Sequence, residues 1–175
     1  MNEYYQQFKD LREKSTFKGQ QWSGEREALV NRYSWAVPNE EALCYLSNFG
    51  DIIEVGAGSG YWAKCVNENG GNVRATDANP PSDTHTEVEE AYAYELELED
   101  RAVLCVWPPV NDSMAEKVLR FRPSHMLYVG EQRGGCTAND GFFDELEQKY
   151  GLVSTIDIPS YAGVNDNLYH YVRKV

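Results

Sequence analysis

Apolar positions along this chain change their period near residue 50. Before it they recur at helical spacing, with Tyr4, Tyr5, Phe8 and Leu11 on one face of a helix over residues 2–14. Gly19 and the Trp22-Ser23-Gly24 stretch break that pattern. Ala28, Leu29 and Arg32, on successive turns, then carry a second helix over Glu25–Tyr33. Tyr33–Asn39 reads as extended, because Pro38 restricts the residue before it, and Asn39 is a ready cap for a helix over Glu40–Asn48 closed by Gly50.

From Asp51 onward, short apolar runs alternate with helical patterns, which is the mark of a parallel α/β sheet. Strands are expected at Asp51–Val55, Asn72–Thr76, Thr86–Glu90, Ala102–Val106 and His125–Val129. Between them fall a helix over Gly60–Asn69 stopped by Gly70-Gly71 and a stunted one over Tyr92–Leu98. A third is capped by Asp112 or Ser113 and stopped by Pro123, and Gly141–Tyr150 forms a fourth, stopped by Gly151. Leu152–Ile158 and Leu168–Arg173 are joined through Pro159, Gly163, Asn165 and Asp166, too short a link for a crossover helix. They should form an antiparallel hairpin. The fold class is therefore α/β: a three-layer, mostly parallel sheet with an antiparallel C-terminal hairpin and an N-terminal helical extension. Residues 1–39 form the extension and 40–175 the core.

The most informative stretch is Asp51-Ile52-Ile53-Glu54-Val55-Gly56-Ala57-Gly58-Ser59-Gly60-Tyr61-Trp62. A buried strand runs into three glycines at alternate positions and then into a helix. Such glycines let the chain turn sharply and let a ligand lie against the backbone at a helix N-terminus. Asp77, at the end of the next strand, stands where a ribose-binding acid falls in a nucleotide-binding βαβ unit. A dinucleotide fingerprint needs glycine at its sixth position, and that position here is Tyr61, which argues against NAD.

The pattern Glu54-x-Gly56-x-Gly58-x-Gly60 instead resembles motif I of the class I S-adenosylmethionine (SAM)-dependent methyltransferases. The resemblance covers Glu40 to Val175 and is most specific at that motif. It implies a Rossmann-like methyltransferase fold, SAM as cofactor, and methyl transfer to a small-molecule or small polar acceptor. A nucleotide or nucleic-acid methyltransferase is the nearest rival. A non-catalytic SAM-binding module that docks a partner is the rival from another class.

In open α/β sheets ligands bind beyond the carboxyl ends of the strands. That selects Gly56–Tyr61, Asp77–Asn79, Glu90–Tyr92, Trp107–Val110 and Glu131–Thr137. The resemblance implies Asp77 on the ribose hydroxyls, Ala78 and Asn79 beside the adenine, and Glu54 ordering the glycine turn. Tyr61, Trp107 and Pro108 would complete the cofactor wall. Trp107-Pro108-Pro109-Val110 stands where amino-methylating relatives carry Asp/Asn-Pro-Pro-aromatic, and the departure weighs against adenine or cytosine amino methylation. A general base is needed only where the nucleophile is protonated at neutral pH. Glu131 is the best-placed acid, with Tyr33, Asn111 and His85 as weaker candidates. Trp22, Tyr33 and Trp35 are either core packing for the N-terminal helices or a lid over the cofactor.

Composition narrows the class. At 175 residues the chain is one domain, with no run of membrane-spanning length and no signal-peptide pattern, so a cytoplasmic protein is expected. Cys44, Cys65, Cys105 and Cys136 are widely spaced and the three histidines scattered, so no metal site is expected and the thiols should be reduced and mostly buried. The net charge is −12, and eight acids with no Lys or Arg lie between Asp83 and Asp100. That field repels phosphate backbones. It favours a small-molecule substrate over nucleic acid, and it serves either as a solvated face or as a docking surface for a basic partner.

Overall fold

The computed structural model describes residues 1–14 and 22–175. Strands β1 (Asp51–Val55), β2 (Asn72–Asp77), β3 (Val88–Glu90), β4 (Ala102–Val106), β5 (His125–Gly130), β6 (Tyr150–Asp157) and β7 (Asn167–Arg173) build one sheet, in the order β3-β2-β1-β4-β5-β7-β6. Every pairing from β3 to β5 is parallel, and β7 runs antiparallel to both β5 and β6. The expected mostly parallel sheet with an antiparallel C-terminal hairpin is the observed one.

Side chains alternate across the sheet with period two, and the helices cover both faces. Ile52, Leu104, Leu127 and Val129 pack against α1 (Glu3–Lys14), α3 (Glu40–Ser47) and α4 (Tyr61–Glu68), as does Val30 of α2 (Trp22–Arg32). Ile53, Val103, Cys105, Met126 and Tyr128 face α5 (Met114–Arg120) and α6 (Asp140–Lys149) instead.

The N-terminal segment is knitted into the first of these cores. Tyr4 and Phe8 are fully buried, and the Tyr4 hydroxyl donates to the Ser34 carbonyl at 2.9 Å and faces the Tyr161 hydroxyl at 3.2 Å. The Trp62 indole N–H donates to the Ala36 carbonyl at 3.1 Å. Asn39 caps α3 as expected, its Oδ1 accepting the Ala42 N–H, while its amide reaches the Asp157 carbonyl. Tyr4, Phe8, Leu11, Val30, Tyr33, Ala36 and Val37 thus share one hydrophobic core with residues of 40–175.

Several expected boundaries move for physical reasons. Trp22-Ser23-Gly24 opens α2 and does not break a helix; Gly19 and the Trp22 side chain lie outside the described residues. Tyr92–Leu98 yields only a 3₁₀ turn, Ala93–Glu95, because Leu96 and Leu98 are buried while Glu95, Glu97 and Glu99 are exposed. That alternation belongs to extended chain. Gly151 does not stop α6: Tyr150 enters β6 directly and Gly151 pairs with Val172. α5 ends at Arg120, ahead of Pro123, as Arg122 turns the chain at φ +57°.

All four cysteines are free, but only Cys65 and Cys105 are buried; Cys44 and Cys136 are exposed. Two histidines scattered in sequence meet in space, His125 Nδ1 lying 2.9 Å from His170 Nε2, with Tyr45 Oη 2.8 Å from His170 Nδ1. Among the described residues no group of three or more His, Cys, Asp or Glu could hold a metal, and no helix is long and apolar enough to cross a membrane.

Candidate functional site

The strand order reverses between β1 and β4, and a cavity of about 950 Å³ opens beyond their carboxyl ends. Its floor is the turn after β1. Gly56, Gly58 and Gly60 all hold left-handed backbone, with φ of 74°, 54° and 73°. The turn is closed by the Ala57 N–H donating to the Thr76 carbonyl and the Gly60 N–H donating to the Ala57 carbonyl, both at 2.9 Å. A Cβ on Gly60 would collide with Val88 and Thr86, whereas one on Gly58 would meet open space. Gly58 therefore faces the cavity and Gly60 faces the protein.

Asp77 binds this turn directly. Its Oδ2 accepts the Gly58 N–H at 2.8 Å and its Oδ1 accepts the Asn79 N–H at 2.9 Å. The ordering role expected of Glu54 thus falls to Asp77. Glu54 is 1% exposed; its carboxylate accepts the Ala63 N–H, and Oε2 has no hydrogen-bond partner. Lys64 turns away to Glu68 at 2.7 Å. Burial, with the Asp77 charge adding to it, pushes the Glu54 carboxyl up to about 8. A buried, half-satisfied acid on a cavity wall is a costly feature in a ligand-free chain.

The remaining walls come from distant parts of the chain. Ala78 and Pro81 follow β2, Ala91 to Tyr94 follow β3, Trp107 to Pro109 follow β4, and Met114, Lys117 and Phe121 come from α5 and its end. Tyr33, Ser34 and Trp35 close the side nearest the N-terminal helices. Tyr61 is 3% exposed and shows part of its ring to the cavity, while its hydroxyl accepts the Tyr4 N–H at 3.2 Å. Asn79 is exposed and lines none of the cavity, so it meets the site only through its backbone.

The three residues expected to act on the acceptor do not gather here. Glu131 is buried away from the cavity, its two oxygens accepting the Cys136 N–H at 2.7 Å and the Asn165 N–H at 2.9 Å. It staples two loops, and Arg133 turns instead to Asp140, Asp144 and Glu147. Asn111 sits exposed in the turn before α5 and does not line this cavity. Tyr33 does line the cavity, but its hydroxyl accepts from the Gln7 amide at 2.8 Å, and burial pushes its phenol up to about 12. That phenol forms part of the cavity wall. His85, stacked on Tyr33, places its Nε2 2.7 Å from the Arg32 carbonyl.

Sequence reasoning missed Asp166. It is 4% exposed and its Oδ1 accepts the Trp107 indole N–H at 2.8 Å, across 59 positions of sequence. The lid expectation divides. Tyr33 is core, stacked on Tyr4, whereas Trp35 is 53% exposed on the cavity wall. All eight acids between Asp83 and Asp100 are exposed, and three of them pair with Arg74, Arg122 and Arg173.

No family model matches the chain, and no curated protein matches it in sequence. Its fold does match solved structures. Magnesium protoporphyrin IX methyltransferase from Synechocystis PCC 6803, with bound SAM, superposes with a TM-score of 0.58 at 10% identity, covering 77% of each chain. The 1,6-didemethyltoxoflavin-N1-methyltransferase of Burkholderia thailandensis gives 0.55 at 16% identity over 78% of each chain. The N-methyltransferase NodS of Bradyrhizobium japonicum WM9 gives 0.50 at 11% identity, over 91% of this chain and all of its own. The chain has the fold of the class I SAM-dependent methyltransferases.

Proposed function

We propose that this chain is a SAM-dependent methyltransferase acting on a small molecule. The observation that carries the reading is the buried Glu54 carboxylate, whose Oε2 is unpaired on the wall of a cavity floored by left-handed glycines. SAM fits those residues. Its ammonium would satisfy the orphaned carboxylate, its methionine chain would lie over Gly56 and Gly58, and Asp77 has lone pairs left for the ribose hydroxyls. Ala78, Ala91 and Tyr92 would border the adenine, with Tyr61 and Pro108 completing the wall. The structural relatives with bound SAM or S-adenosylhomocysteine support the same cofactor.

Bound there, SAM would supply an activated methyl group. The chain would then hold an acceptor in line with it and exclude water, and positioning of this kind can account for most of a transfer's rate. The acidic surface supports a small acceptor over a polyanion, and the toxoflavin relative, solved with its small-molecule ligand, points the same way. The test is a thermal-shift and calorimetric titration with SAM, S-adenosylhomocysteine and NAD. The first two should raise the melting temperature, as ligands that bind only the native state do, and NAD should not. A chain indifferent to all three would sink the reading.

A further inference from the structure

One wall of the cavity is a pair of indoles. The Trp35 and Trp107 rings lie 4.9 Å apart and 8° from parallel. The Trp107 indole is held firmly, and the Trp35 backbone beside it is pinned. Trp107 takes left-handed backbone at φ +51°, which is costly for a bulky residue and persists only where its surroundings impose it. Its backbone N–H donates to the Val129 carbonyl and its indole N–H to the buried Asp166 carboxylate, both at 2.8 Å. The Trp35 backbone is pinned on either side, by the Tyr4 hydroxyl on the Ser34 carbonyl and by the Trp62 indole on the Ala36 carbonyl. Ala36 and Val37 are fully buried, yet Trp35, which lines the cavity, is 53% exposed.

A half-exposed indole backed by a firmly held parallel indole is a stacking platform. Packing alone does not account for it, since burying that ring would be worth roughly 25 cal/mol per Å² of apolar surface. Aromatic faces prefer offset stacking with other flat π-systems. Ser34 and Asn31 on the same wall offer a hydroxyl and an amide to ring substituents.

We propose that the Trp35–Trp107 stack is the acceptor platform of this site, and that the acceptor is a planar aromatic or heteroaromatic small molecule lying against the Trp35 ring. This rests on the methyltransferase reading above. Asp166 acts through Trp107 as a positioning residue.

The test uses the full chain and two neutral probes of equal carbon skeleton, planar 2-naphthol and saturated 2-decalol. Each is titrated calorimetrically against the protein saturated with S-adenosylhomocysteine. 2-Naphthol should bind clearly tighter than 2-decalol. Trp35→Leu should weaken 2-naphthol by roughly 5- to 100-fold, the range of aromatic stacking on a flat ring, and leave 2-decalol and S-adenosylhomocysteine as they were. Trp35→Phe should keep most of the affinity. Asp166→Asn, which still accepts the indole N–H, should keep it too, whereas Asp166→Leu should lose it with the cofactor product still bound. Equal binding of the two probes, or a Trp35→Leu protein that binds 2-naphthol normally, overturns the platform. Loss of S-adenosylhomocysteine in Trp35→Leu also overturns it, because the indole would then belong to the cofactor. A wild-type chain that binds no S-adenosylhomocysteine overturns the methyltransferase reading alone, and the same probe comparison on the ligand-free chain still decides the platform.

Discussion

Asp77 Oδ2 accepts the backbone N–H of Gly58 at 2.8 Å, tying the acid that ends β2 to the middle glycine of the turn after β1. Turn geometry therefore depends on this carboxylate, and under the proposed function ribose recognition would depend on it too. Asp77→Ala should weaken S-adenosylhomocysteine by about 1.5–3 kcal/mol, the range for hydrogen bonds to a charged group. Asp77→Asn, which keeps one acceptor oxygen, should lose less. Unchanged calorimetric affinity in Asp77→Ala would remove this residue from the site.

Glu54 gives the chain a pH signature. Burial lifts its carboxyl from 4.5 to about 8, so between those values the folded chain holds a proton that the unfolded chain has released. The resulting stability is complete below pH 4.5 and is lost as pH rises toward 8. Glu54→Gln cannot ionise, so its melting temperature should gain on the wild type steadily across that window. A bound ammonium would favour the ionised carboxylate. S-adenosylhomocysteine binding near neutral pH should therefore release protons, read as a dependence of the binding enthalpy on the buffer's ionisation heat, and should release none from Glu54 in Glu54→Gln.

Two glycines of the same turn should fail differently. Gly60→Ala must place a methyl 2.8 Å from Val88 Cγ2 and 2.9 Å from Thr86 Cγ2, at φ +73°, so it should lower the melting temperature substantially. Gly58→Ala meets no atom within 4 Å and carries only the left-handed backbone penalty of roughly 1–2 kcal/mol. Gly58→Val should intrude on the ligand and abolish S-adenosylhomocysteine binding while circular dichroism stays near wild type. Retained binding in Gly58→Val would show that nothing lies against this turn.

The N-terminal segment should behave as core. Tyr4 is fully buried, and Tyr4→Ala should destabilise the chain by about 3–5 kcal/mol in denaturant titrations, as large aromatic truncations do. Removing residues 1–38 should leave a chain with lost near-ultraviolet dichroism. A well-folded truncated chain that only lost cofactor affinity would restore the simple lid.

The acidic stretch predicts that duplex DNA and structured RNA bind with no useful affinity at ~150 mM salt. A filter-binding titration checks this, and submicromolar retention would overturn the small-molecule reading of the surface.

The central sheet was legible because strands buried on both faces read as short apolar runs, and the glycine turn because its spacing is local. Both signals lie within about ten residues of chain. The acceptor side was not legible, since it is assembled across long separations. Nothing in the sequence tells Glu131, which staples two loops, from an acid that faces a substrate. Trp35 and Trp107, or Trp107 and Asp166, meet only through the topology. Tyr92–Leu98 misled although its alternation of Glu95, Leu96, Glu97, Leu98 and Glu99 has the period of extended chain, because the segment is too short for that period to stand out.

The Tyr4–Tyr161 hydroxyl contact joins positions 157 residues apart. Such a closure carries a chain-entropy cost before it returns any energy, and contacts of this reach slow the search for the native state. The turn after β1 and its partner Asp77 can form early from neighbouring segments. The wall built by Tyr33 to Trp35 is held through Tyr4, which in turn leans on Tyr161 in the connection between β6 and β7. During synthesis, then, the glycine turn emerges long before the pocket does. The full wall exists only once Tyr161, from the connection between β6 and β7, has met Tyr4.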